Sequence, residues 1–239
     1  MLFAEWRLIF TGLANGYVNM AIDEATVHLM AERRVPPTLR IYYWERPCYT
    51  LGFLQSVSAV KAGARRAQCT YVRRLTGGKA CFHGGDLSYS LVVSMADTLI
   101  PSNVLHSYEH VSYGVIEGLR LLGIDARFAP PTEVQVGTHV VATAAQARRQ
   151  GVLLHQGTIA LRPAGAKPGS SQPCRPITPL SDLIGSQIDF DDAAKALGTG
   201  FKGALGADLS PGVLFAKEKR LARQLLRDKY TQAAWNDWR

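Results

Sequence analysis

Residues 73–94, RRLTGGKACFHGGDLSYSLVVS, constrain this chain more than any other stretch. Two arginines run into a Gly-Gly turn, a histidine follows, and a strand begins. Glycine has no side chain, so bare backbone approaches a ligand closely at such a turn, while the arginines and the histidine supply charge and a proton carrier. A segment built this way reads as part of a ligand-handling enzyme. From Leu87 to Met95 the odd positions are Leu, Tyr, Leu, Val and Met, and the even ones are mostly Ser. That period of two predicts a half-buried strand leading away from the turn.

At 239 residues the chain is long enough for one large domain or two small ones, with a sizeable core either way. Its apolar runs are only a few residues long, far short of a membrane span. The N-terminal MLFAEWRLIF carries Glu5 and lacks the small-residue cleavage site of a signal peptide. Cys48, Cys69, Cys81 and Cys174 are spaced for neither a disulfide framework nor a zinc knuckle, so no metal site is expected and the reducing cytoplasm is the default compartment. The net charge of +8 is spread over pairs such as Arg33-Arg34, Arg65-Arg66 and Arg148-Arg149. It serves solubility, or it raises the encounter rate with an acidic partner. No helix-turn-helix, aromatic RNA motif or zinc pattern accompanies the charge, which argues against a nucleic-acid binder.

Periodicity and punctuation outline the rest. Asn19 is placed to cap a helix to about Arg33, and Ser102 one to about Leu122 with Val104, Tyr108, Val111, Val115 and Leu119 on its buried stripe. Strands are expected over Leu39–Trp44, Thr50–Phe53, Thr70–Arg74 and Gly151–Leu161, and Lys61–Arg66 reads as a helical turn. Glu133–Val136 and His139–Thr143 flank Gly137-Thr138 as a hairpin. Residues 163–176 have loop composition. Asp189 or Asp191 opens a helix through Phe201, and Ser210-Pro211 opens a last one to about Tyr230. Strands that mostly pair as neighbours, with helices interspersed, predict an α+β fold: a mixed β-sheet flanked by helices, in one domain spanning 1–239 with 186–239 as a helical C-terminal extension.

Five segments, NMAIDE (19–24), TLRIY (38–42), LGFLQ (51–55), RRLTGGKACFH (73–83) and GVLLHQGT (151–158), together resemble the lipoate–protein ligase and octanoyltransferase family. The resemblance covers nearly the whole chain, and the arginine/Gly-Gly/His block is its specific part. It implies a catalytic domain of the class II biotin/lipoyl-ligase type and transfer of an octanoyl or lipoyl group onto a lysine of a lipoyl domain. The implied partners are acyl carrier protein and lipoyl-domain proteins, namely the glycine cleavage H protein and E2 subunits, with the enzyme a monomer. Carried over by position, Arg73, Arg74, Thr76, Gly77, Gly78, His155, Gln156, Gly157 and Thr158 would bind substrate. The small residues Ala142, Thr143, Ala144 and Ala145 would leave room for the acyl chain.

Two mechanisms occur in the family. Ligases activate a free acid with ATP and Mg. Transferases need no cofactor and pass the acyl group through a cysteine, whose thiolate is both a good nucleophile and a good leaving group. Cys174, in a Pro-Cys loop before Thr178-Pro179-Leu180, is the candidate nucleophile; a bystander thiol in a loop is the alternative. Cys81 is the rival, although its alternating neighbours suit a small buried side chain better. A second transferase branch places its cysteine just before the strand near Phe128, where this chain has Arg127, so that version is not available. His83 beside Gly84-Gly85 is read as a site residue. His155 is balanced between a site role and the core, and either histidine could shuttle protons.

One departure from the family stands out. Ligases and transferases place a lysine in the hairpin strand, and here the position holds Val140, or His139 if the turn has one extra residue. No lysine occurs between Lys79 and Lys167. Lys79 or His139 is the expected replacement cation, Lys79 being equally suited to contacting a carrier protein. Three readings follow: an octanoyltransferase working through Cys174, an ATP-dependent lipoate ligase, and a carrier-binding relative that has lost catalysis.

Overall fold

The computed structural model describes residues 5–164 and 176–239. In chain order the elements are β1 (Trp6–Ala14), α1 (Gly16–Ala31), β2 (Thr38–Trp44), β3 (Cys48–Leu51), α2 (Ser58–Arg66), β4 (Thr70–Arg73), β5 (Cys81–His83) and β6 (Asp86–Ser94). They continue as α3 (Val104–Leu121), β7 (Arg127–Ala129), β8 (Glu133–Val136), β9 (His139–Arg149), β10 (Val152–Ala160), α4 (Leu180–Ile184) and α5 (Phe190–Leu205). β11 (Leu209–Pro211), α6 (Ala216–Leu225), a π-helical turn (Leu226–Tyr230) and α7 (Ala233–Asn236) follow.

Eight strands form one mixed sheet in the order β11-β1-β2-β6-β10-β9-β8-β7, and β4-β3-β5 form a small second sheet. β1 pairs in parallel with both β2 and β11, while β2, β6, β10, β9, β8 and β7 are successively antiparallel. A parallel neighbour requires a crossover, and α1 supplies it between β1 and β2. The mixed sheet flanked by helices is the α+β architecture expected from the element order.

Helices cover both faces of the large sheet. Leu39 and Ile41 of β2, Leu91 and Val93 of β6, and Leu153 and Ile159 of β10 meet Val111, Val115 and Leu119 of α3 and Leu197 and Phe201 of α5. On the opposite face Val92 and Leu154 meet Val27 and Met30 of α1, and Tyr42 and Trp44 meet Met20 and Ala21. The alternation along β6 therefore does not mark a half-buried strand. Its serines point away from the first face, yet Ser88 and Ser90 are as buried as the leucines. They face a polar network beneath α1 rather than water.

Arg40 is the centre of that network. Its guanidinium reaches Asp23 Oδ1 through Nε at 3.0 Å and Nη2 at 2.8 Å, Asn19 Oδ1 at 3.2 Å, Thr11 Oγ1 at 3.0 Å and the Asn19 carbonyl at 3.0 Å. It lies 3.8 Å from the centre of the Tyr42 ring. Asp23 Oδ1 also accepts from Ser90 at 2.6 Å, and its Oδ2 accepts from Gln156 at 2.6 Å. A buried charge is tolerated only when paired and fully hydrogen-bonded, and both conditions are met here.

The segment after α5 is tied back by the same kind of contact. Arg7 holds Glu218 of α6 with two bonds of 2.8 Å, and Lys229 holds Glu24 of α1 at 2.7 and 2.8 Å. Ser210-Pro211 does not open a helix. It lies in β11, which adds in parallel to β1, and the helix starts at Ala216, where Glu218 accepts from the Phe215 amide. Two other helix starts shift. Asn15, not Asn19, caps α1, and Asn19 is buried inside the helix with its amide given to the Ala14 and Tyr43 carbonyls. Asn103, not Ser102, caps α3. Asp189 caps α5 as the sequence indicated.

Arg40→Met removes one partner of a buried pair and leaves Asp23 uncompensated. Equilibrium urea denaturation should show a loss of about 3–5 kcal/mol; a loss under about 1 kcal/mol would mean the pair is dispensable.

Candidate active site

The register of the sheet builds the floor of a cavity. Tyr42 pairs with Ser88, Ser88 with Thr158, Thr158 with Thr143 and Thr143 with Glu133, so these five residues form one line across β2, β6, β10, β9 and β8. Directly paired residues in antiparallel strands share a face. All five line one cavity of about 300 Å³, at the small end of the range for ligand pockets. The adjoining line, Arg40, Ser90, Gln156 and Ala145, brings Gln156 and Ala145 to the same cavity and joins it to the polar network under α1.

The roof is the RRLTGG segment. Arg74 donates to Thr76 Oγ1 at 2.9 Å, to the Thr50 carbonyl and hydroxyl at 3.2 and 3.1 Å, and to the Gly77 and Lys79 carbonyls at 2.6 and 2.8 Å. These bonds use every N–H of its guanidinium, so Arg74 shapes the turn from within. Gly78 has φ +85°, and a Cβ on Gly52 would lie 1.9 Å from the Gly78 carbonyl oxygen. Both positions therefore need glycine for the turn to rest on the end of β3. Thr76 then donates to Gln156 Oε1 at 2.7 Å, linking roof to floor. Gly77, Gly78, Thr143, Ala144, Ala145, Gln156, Gly157 and Thr158, all singled out from sequence, line the cavity together with Arg74, Lys79 and His83.

His83 is held as a cation. Its Nδ1 donates to Asp86 Oδ2 at 2.7 Å, its Nε2 to Thr50 Oγ1 at 2.9 Å, and its ring stacks on Trp44 at 3.9 Å. Burial alone would lower its pKa, but Asp86, with a further contribution from Cys81, outweighs burial and raises it to about 10. Burial would raise Asp86 in turn, and His83 with the hydroxyl of Thr158 and the Gly84 amide brings it below its ordinary value. Both ring nitrogens are engaged, and Asp86 favours the charged form of His83 in the cavity wall.

Three other sequence assignments move. Arg73 is fully buried on the other side of β4 from Arg74. It donates to the carbonyls of Gly52, Phe53, Gln55, Trp235 and Asn236, and so joins the 52–55 segment to α7; it is not one of the cavity residues. Thr76 acts through Gln156 and does not line the cavity. His155 lies on the α3/α5 face, between the Tyr89 hydroxyl at 3.1 Å and Gln146 Nε2 at 3.0 Å. Its neighbour Gly157 makes room for the Tyr89 ring, which would sit 2.3 Å from a Cβ there.

Among the thiols, burial pushes Cys48 up to about 12. Cys81 is half-buried and lines the cavity beside His83. Cys174 lies outside the described residues. Of the two replacement cations, Lys79 lines the cavity, whereas His139 is exposed at the hairpin turn and is not among the lining residues. Sequence reasoning missed Met20, Tyr42, Trp44, Ser88 and Glu133, all cavity residues. The alternation that puts Tyr42, Trp44 and Ser88 on one side of their strands was visible, but the register that aligns the strands was not.

Burial lowers the pKa of His155 to about 3, so this ring is neutral in the folded protein while the unfolded chain binds a proton at the ordinary value. Stability should therefore fall as pH drops from about 6.5 toward 3, by up to about 1.4 kcal/mol per pH unit. Urea midpoints at pH 4.5 and pH 7 should differ less in His155→Gln than in wild type. An equal difference in both proteins would place the acid sensitivity elsewhere.

Residues 15–202 match the family model of the lipoyl protein ligase A/B catalytic domain. The octanoyltransferase LipM of Symbiobacterium thermophilum is 35% identical over 275 aligned positions, covering 97% of this chain and 98% of that protein. LipM of Bacillus subtilis is 29% identical, with 97% of each covered. A lipoate-protein ligase A solved with bound ATP superposes with a TM-score of 0.82 at 26% identity, over 97% of this chain and 98% of the other. A bipartite lipoate protein ligase from Thermoplasma acidophilum, studied with its E2 lipoyl domain, shares the fold at a TM-score of 0.80 and 24% identity, covering 98% and 96%. These matches take in the glycine turn, the hydroxyl floor and the helices that back them, and the chain belongs to the lipoyl protein ligase A/B catalytic-domain family.

Proposed function

We propose that this chain is an octanoyltransferase of protein lipoylation, moving the acyl group from acyl carrier protein to a lysine of a lipoyl domain. The observation that carries the reading is the cavity of about 300 Å³, walled by Ala144, Ala145, Gly157, Met20 and Trp44 and roofed by the glycine turn. It has the apolar volume for a medium acyl chain and a charged rim for the head of its donor. The acceptor lipoyl domains are those of E2 subunits and the H protein, and the enzyme works as a cytoplasmic monomer. Among the described residues no helix is long and apolar enough to cross a membrane.

Transfer proceeds through a thioester on Cys174 and needs no cofactor. The thiol loses its proton to water, its sulfur attacks the donor carbonyl, and the donor sulfur leaves and takes up a proton. The lysine amine then displaces the enzyme sulfur. The cavity wall supplies positive charge from Lys79 and His83 in place of the family lysine, which draws in an acidic carrier and favours developing negative charge.

Intact-mass spectrometry with octanoyl-acyl carrier protein and no ATP tests this directly. Wild type should gain one octanoyl group, Cys174→Ala none. An adduct that survives in Cys174→Ala moves the thioester to another thiol. Product that forms only with lipoate, ATP and Mg overturns the transferase reading in favour of a ligase. In the same assay Lys79→Ala should slow transfer about tenfold, as loss of a steering charge does, and His139→Ala should leave it unchanged. Unchanged rates in both variants would remove Lys79 from the mechanism.

A further inference from the structure

Transfer to a lysine makes a further demand on the site. A lysine side chain arrives as an ammonium at neutral pH, since its ordinary pKa is about 10.4. It must enter a cavity with apolar walls and lose a proton before its nitrogen can attack. Entry of a cation into such a place is costly without a compensating negative group. Loss of the proton needs an acceptor within hydrogen-bond reach.

Most polar groups of the cavity are unsuited to either task. Arg74 and Lys79 are cations, and every guanidinium N–H of Arg74 is used to hold the turn. His83 is already protonated, with Asp86 on one nitrogen and Thr50 on the other. His155 is sealed on the far face of the sheet between Tyr89 and Gln146. Asp86 is occupied by His83, Ser88, Thr158 and the Gly84 amide and is not among the lining residues. The hydroxyls of the floor bind a proton far too weakly.

Glu133 remains. It is the one carboxyl group among the described residues that line the cavity, and the residue is only 2% exposed. It sits on β8 opposite Thr143, at the end of the line that runs through Thr158 and Ser88 to Tyr42. Ser88 and Thr158 both donate to Asp86. A carboxyl group thus stands at one end of the floor, while the His83–Asp86 pair touches its middle.

We infer that Glu133 receives the ammonium of the acceptor lysine and takes its proton, making it a catalytic residue for the second half of the reaction. The inference rests on the acyl-transfer reading above. One N–H bond of the ammonium breaks and its proton passes to a Glu133 carboxyl oxygen. The freed lone pair attacks the thioester carbonyl carbon and forms the C–N bond. The C–S bond breaks, the sulfur leaves with the bond's electron pair, and a second proton passes from nitrogen to sulfur. The amide keeps the third hydrogen, and Glu133 returns its proton to water.

The test compares two acceptors with the full chain loaded from octanoyl-acyl carrier protein. One is a lipoyl domain with its lysine. The other is hydroxylamine, which is small and already neutral at pH 7 and gives octanoyl hydroxamate. Glu133→Gln keeps the size of the side chain and removes its basicity. Octanoyl loading and hydroxamate formation should stay within about threefold of wild type, while transfer to lysine should fall about 100-fold or more, in line with loss of a general base. Glu133→Asp keeps a carboxyl group one methylene further back and should fall between the two, which gives a second variant if Glu133→Gln does not fold. Equal slowing toward both acceptors in both variants would assign Glu133 a structural role and overturn the inference alone. Undiminished lysine transfer in Glu133→Gln would also overturn it. A wild-type protein that acylates neither acceptor would instead overturn the transferase reading on which the inference stands.

Discussion

A guanidinium fixed in the middle of the sheet organises this molecule. Arg40 is nearly inaccessible, and its charge is balanced by Asp23 of α1 at 2.8 Å. Asp23 then has one oxygen left for Gln156, which accepts from Thr76, which accepts from Arg74. An unbroken chain of donors and acceptors thus runs from the crossover helix, under the cavity floor, into the glycine turn that forms its roof. A half-satisfied buried network is worse than an apolar core, so each member constrains the next. The position of the turn is set by charge buried well behind it.

The cavity depends equally on the two-sided packing of the sheet. One face of β6 and β10 carries the apolar side chains that meet α3 and α5, and the other carries serine, threonine and glutamine. A solvent-facing surface could be built from the same pattern. Here α1 and the glycine turn cover it, and its hydroxyls become the floor of a binding space. The two buried histidines illustrate the consequence. His83, beside a carboxylate, is driven toward the charged form, whereas His155, beside a tyrosine and an amide, is driven toward the neutral one. The same side chain favours its charged form on one face and serves as a hydrogen-bonded core residue on the other.

Much of this was legible in the sequence, for identifiable reasons. The glycine turn, the long helix α3 and the hairpin of β8 and β9 carry local signals of composition and period, and the mixed sheet follows from their order. What was hidden depended on partners distant along the chain. Asn15 and Asn19 are equally good caps by composition, and only the Ala14 and Tyr43 carbonyls that claim the Asn19 amide decide between them. Arg73 and Arg74 are adjacent and chemically identical, yet a strand sends them to opposite sides, one to α7 and one to the turn. Ser210-Pro211 has the look of a helix start, but the edge of β1 was open to it. Glu133 carried no signal at all, since its place in the site comes from the register of β8 on β9.

The grip of Arg73 on α7 has a further implication for how the protein is made. The strand that leads into the glycine turn is bonded through its backbone amide to Asn236, which lies 163 residues further along the chain. At about 5–20 residues per second, a ribosome needs roughly 8 to 30 s to cover that separation. During that interval the turn has its glycines and its Arg74 contacts but lacks its outer brace. The brace therefore reaches the glycine turn only after α7 has been made and has left the ribosome, long after the turn itself.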